Sequence, residues 1–398
     1  MKTNRYITLF SLIILTSVIS CKKTEIKPEN IFTKIYSDSN SDISYYPLDF
    51  LENGNGGYYI LGSTSIDTTR TWLSAFIMGT DELGEMTWSV ILDKPYVNPI
   101  SNLINLSGEF YFFCMDEISL GAHLLKINEA THSAELIKTF PEIIYPLAVS
   151  KTPDNGFILL SYDRTTRSSS INKIDASFNI TWQSKFRVIE DAEEQLIDHL
   201  IKTGKNIPFF TGTVGEGSAS YYFANGLYNY TLSLLFVNAS NGETAGVAQG
   251  YRYDGGASSL LPLQGNTFAL SRFSFGEHFI LPSTTIDVNS ISSLSDYGGG
   301  KLAEIASDSE TRVKKITING KPSIVFATNT NNNQVIIYIY DLASNELLIK
   351  KYLGFGHPVK IASVMQTKDE GLALLVLTMV TGRFKRISMY KIPKEHLK

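Results

Sequence analysis

Cysteine is almost missing from this chain. There are two in 398 residues, and only Cys114 lies beyond the first thirty positions, so no disulfide framework holds the fold. Cys114 ends the run Phe110-Tyr111-Phe112-Phe113-Cys114 and reads as a small buried strand residue, not as a reactive thiol. An excess of one charge is missing too. The formal net charge is −4, and the basic residues are scattered along the chain, which leaves no clustered basic face for nucleic acid. The six histidines His123, His132, His199, His278, His357 and His396 are dispersed, with no two at metal-ligand spacing on one strand or helix. A zinc hydrolase therefore lacks its minimum set. The run Asp38-Ser39-Asn40-Ser41-Asp42 carries the alternating oxygens of a calcium loop, but Ile43 stands where the sharp-turn glycine belongs and no glutamate follows at the right distance, so it reads as a plain turn. Neither a Gly-x-Ser-x-Gly elbow nor a phosphate-binding loop occurs. No metal, cofactor or catalytic residue is expected from these patterns.

What is present begins at the N-terminus. Lys2 and Arg5 precede an apolar stretch over 7–19, about 13 residues and too short to cross a bilayer as a helix. It ends in Val18-Ile19-Ser20-Cys21, which resembles the lipobox of bacterial lipoproteins, with Val18 where leucine is commoner. The resemblance implies cleavage before Cys21, lipidation of its sulfur and attachment to a membrane. The Cys-Lys-Lys start is similar to that of lipoproteins from the Bacteroidota, and implies the outer membrane, with cell surface against periplasmic face left open. Lys22-Lys23-Thr24-Glu25-Ile26-Lys27-Pro28-Glu29-Asn30 is polar, charged and interrupted by proline, as a solvated tether would be. The expected organisation is a signal peptide over 1–20, lipidated cysteine and tether over 21–30, and one folded domain over 31–398.

Hydrophobic residues make up 43% of the chain and aromatic residues 12%, enough to build a core and too many for a disordered chain. About 378 mature residues exceed one ordinary core, which calls for two domains or one repeat architecture. Repeats decide it. Ile77-Met78-Gly79-Thr80-Asp81-Glu82-Leu83-Gly84-Glu85-Met86-Thr87-Trp88 aligns without gaps on Ile171-Asn172-Lys173-Ile174-Asp175-Ala176-Ser177-Phe178-Asn179-Ile180-Thr181-Trp182, about 94 residues later. Midway stands Leu124-Leu125-Lys126-Ile127-Asn128-Glu129, so the period is close to 47. Asn238 and Asp341 end further strands of this kind. Asp and Asn bond their own downstream backbone and fix tight turns, so these are read as turn formers and not as metal ligands.

A second marker is a glycine ahead of a very apolar strand. It is clear at Gly57, Gly156 and Gly371 and looser at Gly108, Gly204, Gly265 and Gly320, about 50 residues apart on average, which points to roughly seven copies. Glycine is expected to supply positive φ in a hairpin turn there. Four strands per unit make a propeller blade. The expected fold is all-β, a single β-propeller of seven four-stranded blades. The last repeat lacks a fourth strand and Ile31-Phe32-Thr33-Lys34-Ile35-Tyr36 supplies one, so that the first strand closes the ring. The acidic segment 190–199 is expected to be a loop with a helical turn or two.

Gly56-Gly57-Tyr58-Tyr59-Ile60-Leu61-Gly62-Ser63-Thr64, with the run from Asp81 to Trp88, resembles the blade repeat of secreted Bacteroidota propeller proteins. The Asp-to-Trp spacing is similar to that of WD40 and quinoprotein-like propellers. This resemblance implies that Trp88 and Trp182 pack between blades; it implies no ligand, because one fold hosts many functions.

The widest gap between glycine markers holds Tyr221-Tyr222-Phe223-Ala224-Asn225-Gly226-Leu227-Tyr228-Asn229-Tyr230, read as an aromatic insertion. Tyr221, Tyr222, Tyr228 and Tyr230 are the candidate ligand-binding residues, offering flat apolar area with a hydroxyl handle, weighed against plain strand packing. Tyr251, Tyr253, Phe273, Phe275 and His278 would join the same surface. The expected function is a lipid-anchored envelope propeller that binds a glycan or protein partner through loops on one face. Its alternatives are a glycan lyase or hydrolase, with acids converging at the central channel, and a structural component of an outer-membrane assembly.

Overall fold

The computed structural model describes residues 31–36, 42–65, 71–215, 220–252, 254–379 and 384–397. Cys21 with its lipobox, the tether, residues 38–41 of the Asp38 run and Tyr253 lie outside the described residues. Among the described residues the strands form six sheets, and the nine-stranded one is two blades bridged by Tyr96–Val97, which pairs with Ser74 on one side and with Met115 and Asp116 on the other. The other five sheets are one blade each, so the ring has the expected seven blades. Their inner strands are, in order, Tyr45–Glu52, Ile104–Leu106, Pro146–Lys151, Phe210–Val214, Gly255–Pro262, Arg312–Ile318 and Val359–Gln366.

The apolar runs belong to the middle strands. Tyr58–Thr64 is buried along its whole length, as are Ser74–Thr80 and Ser168–Ile174, because each has a strand on both edges and a neighbouring blade on both faces. Successive side chains point to opposite faces, so one strand serves two interfaces. Tyr58 and Ile60 pack with Leu375, Ile387 and Met389 of the seventh blade, while Tyr59 and Leu61 pack with Phe112 and Leu125 of the second. Each such side chain contributes about 1.5–3 kcal/mol by leaving water. Outer strands such as Ile180–Arg187 alternate between buried and exposed residues.

Closure is as the termini suggest. Phe32–Tyr36 pairs antiparallel with Arg386–Ile392, from Phe32 opposite Lys391 to Tyr36 opposite Ile387, and completes the seventh blade. The Tyr36 hydroxyl donates to the Gly84 carbonyl of the first blade at 3.0 Å, so this strand also ties the last blade to the first.

The turn chemistry is confirmed in detail. Asp81 Oδ1 accepts the backbone N–H of Leu83 and Glu85 at 2.9 and 2.8 Å. Asp175 repeats this with Ser177 and Asn179 at the same distances, and Asp341 does so with Ala343 and Ser344. The glycine markers divide into two kinds. Gly108, Gly265 and Gly320 do take positive φ. At the three clear markers the left-handed residue is the one before, Gly56, Asn155 or Glu370. Gly57, Gly156 and Gly371 are required for a different reason: a Cβ there would stand 1.9 Å from the Thr80 carbonyl oxygen, 2.1 Å from that of Ile174 and 2.5 Å from that of Ile392.

Three further expectations are corrected. Gly204 is no marker: it follows a helix, α1 (Glu193–Ile201), in the link between the third and fourth blades. The fourth blade's turn comes after Phe210–Val214 instead, at Gly215 with φ +77°. The extra residues of that repeat are therefore the helical link, and the tyrosine run is an ordinary second strand, Tyr221–Tyr228. The helix forms where a loop is expected because Leu196 and Leu200, four residues apart, are buried together with Ala192 against the third and fourth blades, and Glu193 and Glu194 sit in its first turn, where negative charge is favoured.

Candidate functional site

Seven inner strands running the same way give the ring two unlike ends. One cavity, of about 220 Å³, is lined by the starts of inner strands: Tyr46 to Leu48, Leu147, Arg312 and Lys360 to Ala362, together with Asn98 to Ser101. A second, of about 270 Å³, is lined by later positions of the same strands, among them Asp49 to Leu51, Ser150, Lys314 and Ser363 to Met365. The first opens on the end where blades join one another and where second strands turn into third strands. This end is the mouth face; the end carrying the Asp, Asn and Gly turns is the turn face.

Helix α1 and the link behind it reach the mouth and add His199, Lys202, Lys205 and Asn206 to its lining. Five cationic side chains, Lys202, Lys205, Arg312, Lys360 and Lys385, meet two carboxylates, Asp308 and Glu310. Arg312 Nη2 lies 2.7 Å from Glu310 Oε2, its Nε donates to the Ala362 carbonyl at 2.6 Å, and the Asn206 amide donates to the other Glu310 oxygen. Burial works to raise the Glu310 carboxyl, but Arg312, Lys202 and Asn206 outweigh it and hold the group below its ordinary range. Lys360 Nζ lies 3.2 Å from Asp308. Lys385 Nζ stands over the Tyr46 ring, 4.7 Å from its centroid, and burial, aided by Lys360, lowers its amine. Burial, opposed by Glu310 and reinforced by Arg312, brings Lys202 down to about 8. His199 is kept neutral by burial and by nearby Lys202, and its Nδ1 accepts the Ile207 N–H at 3.1 Å.

Around the mouth the loop tips are apolar. Ile118, Ile189, Tyr230, Tyr251, Phe275, Phe355 and Met379 all lie in links between blades or between second and third strands, and are 42% to 88% exposed. Tyr251 and Phe275 form a pair with ring centroids 5.0 Å apart. Near them a cavity of about 190 Å³ is lined by Ile207, Pro208, Leu227, Leu232 and Phe273, with Lys205 Nζ 5.5 Å from the Phe273 ring centroid.

The four candidate tyrosines are not brought together. Tyr221 and Tyr228 stand at opposite ends of one strand. Tyr222 is buried, 6% exposed, and stacks on Trp182 of the third blade; Tyr228 packs edge-on against Phe186. Only Tyr230, in the turn beyond the strand, is exposed. Of the second aromatic set, Tyr251, Phe273 and Phe275 belong to the mouth face, while His278 is 2% exposed beneath it, with Nε2 3.3 Å from the Ser307 carbonyl. Trp88 is buried and stacks on His132 of the second blade, and half-buried Trp182 meets the fourth blade, so both pack between blades. Cys114 is fully buried. Among the described residues no group of three or more His, Cys, Asp or Glu could hold a metal ion. Sequence reasoning missed the cationic mouth, whose members come from four separate segments.

No family model matches the chain, and no curated protein matches it. Among solved structures it is similar to the Dos1 propeller, at 13% identity and a TM-score of 0.48, covering 90% of this chain and 95% of that one. It is also similar to the β-propeller domain of the Trilobed protease from Pyrococcus furiosus, at 9% identity and a TM-score of 0.46, covering 88% and 95%. A third likeness is to prolyl oligopeptidase B from Galerina marginata, at 11% identity and a TM-score of 0.46, with 92% of this chain covering 50% of that one. By its own strand order, the chain is a seven-bladed β-propeller.

Proposed function

We propose that this chain is a lipid-anchored binding propeller of the cell envelope, held at the outer membrane through Cys21, whose mouth face takes a glycan or an envelope protein. One observation carries the reading: exposed apolar tips and a cationic cavity gather on the same face. The turn face offers less grip: among the described residues its exposed large apolar side chains are Met86, Leu347 and Leu348, at the starts of outer strands just past the Asp turns, and Ile291 in the link after Asp287. Aromatic tips beside a polar cavity suit recognition, since rings present area at low entropic cost while buried polar groups orient the ligand.

The test is a glycan array and crosslinking to purified envelope proteins, comparing wild type with a Tyr230→Ala/Tyr251→Ala/Phe275→Ala variant. Capture that falls at least tenfold in the variant supports the reading, and capture unchanged by it overturns it.

A second reading, an enzyme acting on glycans, has one observation in its favour: His199, Asp308 and Glu310 converge on the channel mouth. Their bonds speak against it. Glu310 is engaged by Arg312 and Asn206, and His199 already accepts a backbone N–H through Nδ1. Release of reducing sugar that disappears in a Glu310→Gln variant would restore it.

A further inference from the structure

Ser63 Oγ and the Asn98 side-chain nitrogen both line the mouth cavity, are buried, each at 2% residue exposure, and find no hydrogen-bond partner among the described residues. Asn98 Oδ1 is engaged by the Leu73 N–H at 3.1 Å, which fixes the amide so that what it has left to give is a donor. Lys202 and Lys385 line the same cavity, and among the described residues their ammonium groups make no ion pair at contact distance. Lys202 also sits at the left-handed C-cap of α1, with φ +61°. Glycine or asparagine is usual there, and a lysine costs about 1 kcal/mol. The groups left over at this mouth are buried donors and half-buried cations, crowded by Arg312 and Lys360. Such a set repels itself and is relieved by an acceptor carrying negative charge.

We propose that the channel mouth is a site for one small anionic group, a carboxylate or a phosphate carried by the bound partner, with Ser63, Asn98, Lys202 and Lys385 as its donors. The inference rests on the mouth face being the binding face. A cavity of about 220 Å³ has room for a single group such as an acidic sugar unit or a phosphoryl head. Arg312 and Glu310 neutralise each other and act as positioning residues that keep Lys202 and Asn206 in place.

The experiment is isothermal titration of the purified chain at constant ionic strength with glucuronate, inorganic phosphate and glucose. Saturable binding of glucuronate or phosphate without glucose binding is expected, and the stronger arm names the source of the charge. Lys202→Gly should weaken that binding about tenfold while leaving the unfolding midpoint unchanged or raised, since glycine suits the left-handed cap. Lys385→Met should weaken it independently. Absence of saturable binding to either anion, or both variants binding like wild type, overturns the site. The rim variant Tyr230→Ala/Tyr251→Ala/Phe275→Ala should bind the anion normally. Partner capture lost in the rim variant without any anion binding would sink the anion site alone; anion binding lost in Lys202→Gly with capture indifferent to the rim would sink the wider reading alone.

Discussion

The two ends of the ring are built on opposite terms. At the turn face the chain is held by short, local hydrogen bonds: one carboxylate oxygen of Asp175 serves two backbone donors, and Gly156 lets its strand pass close to a carbonyl. At the mouth face local satisfaction is incomplete. Buried donors lack partners, cations outnumber carboxylates, and large apolar tips face water. The difference teaches where a repeat that holds the fold leaves its surface free to vary. Turns that repeat with the blades carry the architecture, and the links between blades, free of that constraint, carry the proposed binding surface.

Substitutions can break this contrast. The largest effect belongs to the turn face: Gly156→Ala forces a Cβ against the Ile174 carbonyl and should cost about 3 kcal/mol in urea unfolding. Gly265→Ala, at φ +58° with nothing within 4 Å, should cost only about 1 kcal/mol. Equal losses at the two would show that the strands at Gly156 shift to admit the Cβ, so that close approach adds nothing there. Next, Asp175→Ala leaves two turn donors to water and should cost about 1 kcal/mol by the same measurement; no loss would mean that the turn is held by its strands alone.

The smallest effect sharpens the mouth. Lys202 faces Glu310, Arg312 and His199, with Lys205 and Asn206 close along its own link. Its folded pKa of about 8 lies below the ordinary 10.5, so between those values the unfolded chain holds more protons and stability rises with pH. Below about 8 the destabilisation is fully present. Thermal unfolding followed from pH 7.5 to 9.5 should therefore rise more in wild type than in Lys202→Met, and parallel curves would show that the amine is not strained.

Much of the fold was legible because its signals are local and recur: Asp81, Asp175 and Asp341 each announce a hairpin, and Gly57, Gly156 and Gly371 each sit where a third strand crosses. The misplacement of one marker had a cost. Counting Gly204 as a turn moved the insertion from the helical link onto Tyr221–Tyr228, and turned strand residues into site candidates. The cationic mouth was illegible for the opposite reason. Lys202, Arg312, Lys360 and Lys385 are scattered in sequence, and that scatter looks like the lack of a basic face until two inner strands, the helical link and the loop before Arg386 bring them to one opening.

The closing strand sets a condition on time. Phe32–Tyr36 has its partner in Arg386–Ile392, some 350 residues downstream, a separation whose entropy must be overcome at the end of folding. The earliest part of the folded chain must wait for nearly the last. Until then the seventh blade has a bare edge and the first lacks the Phe32 ring that stands against Gly84, so a chain emerging from its N-terminus passes through synthesis as an open ring, exposed to aggregation, until the final strand arrives.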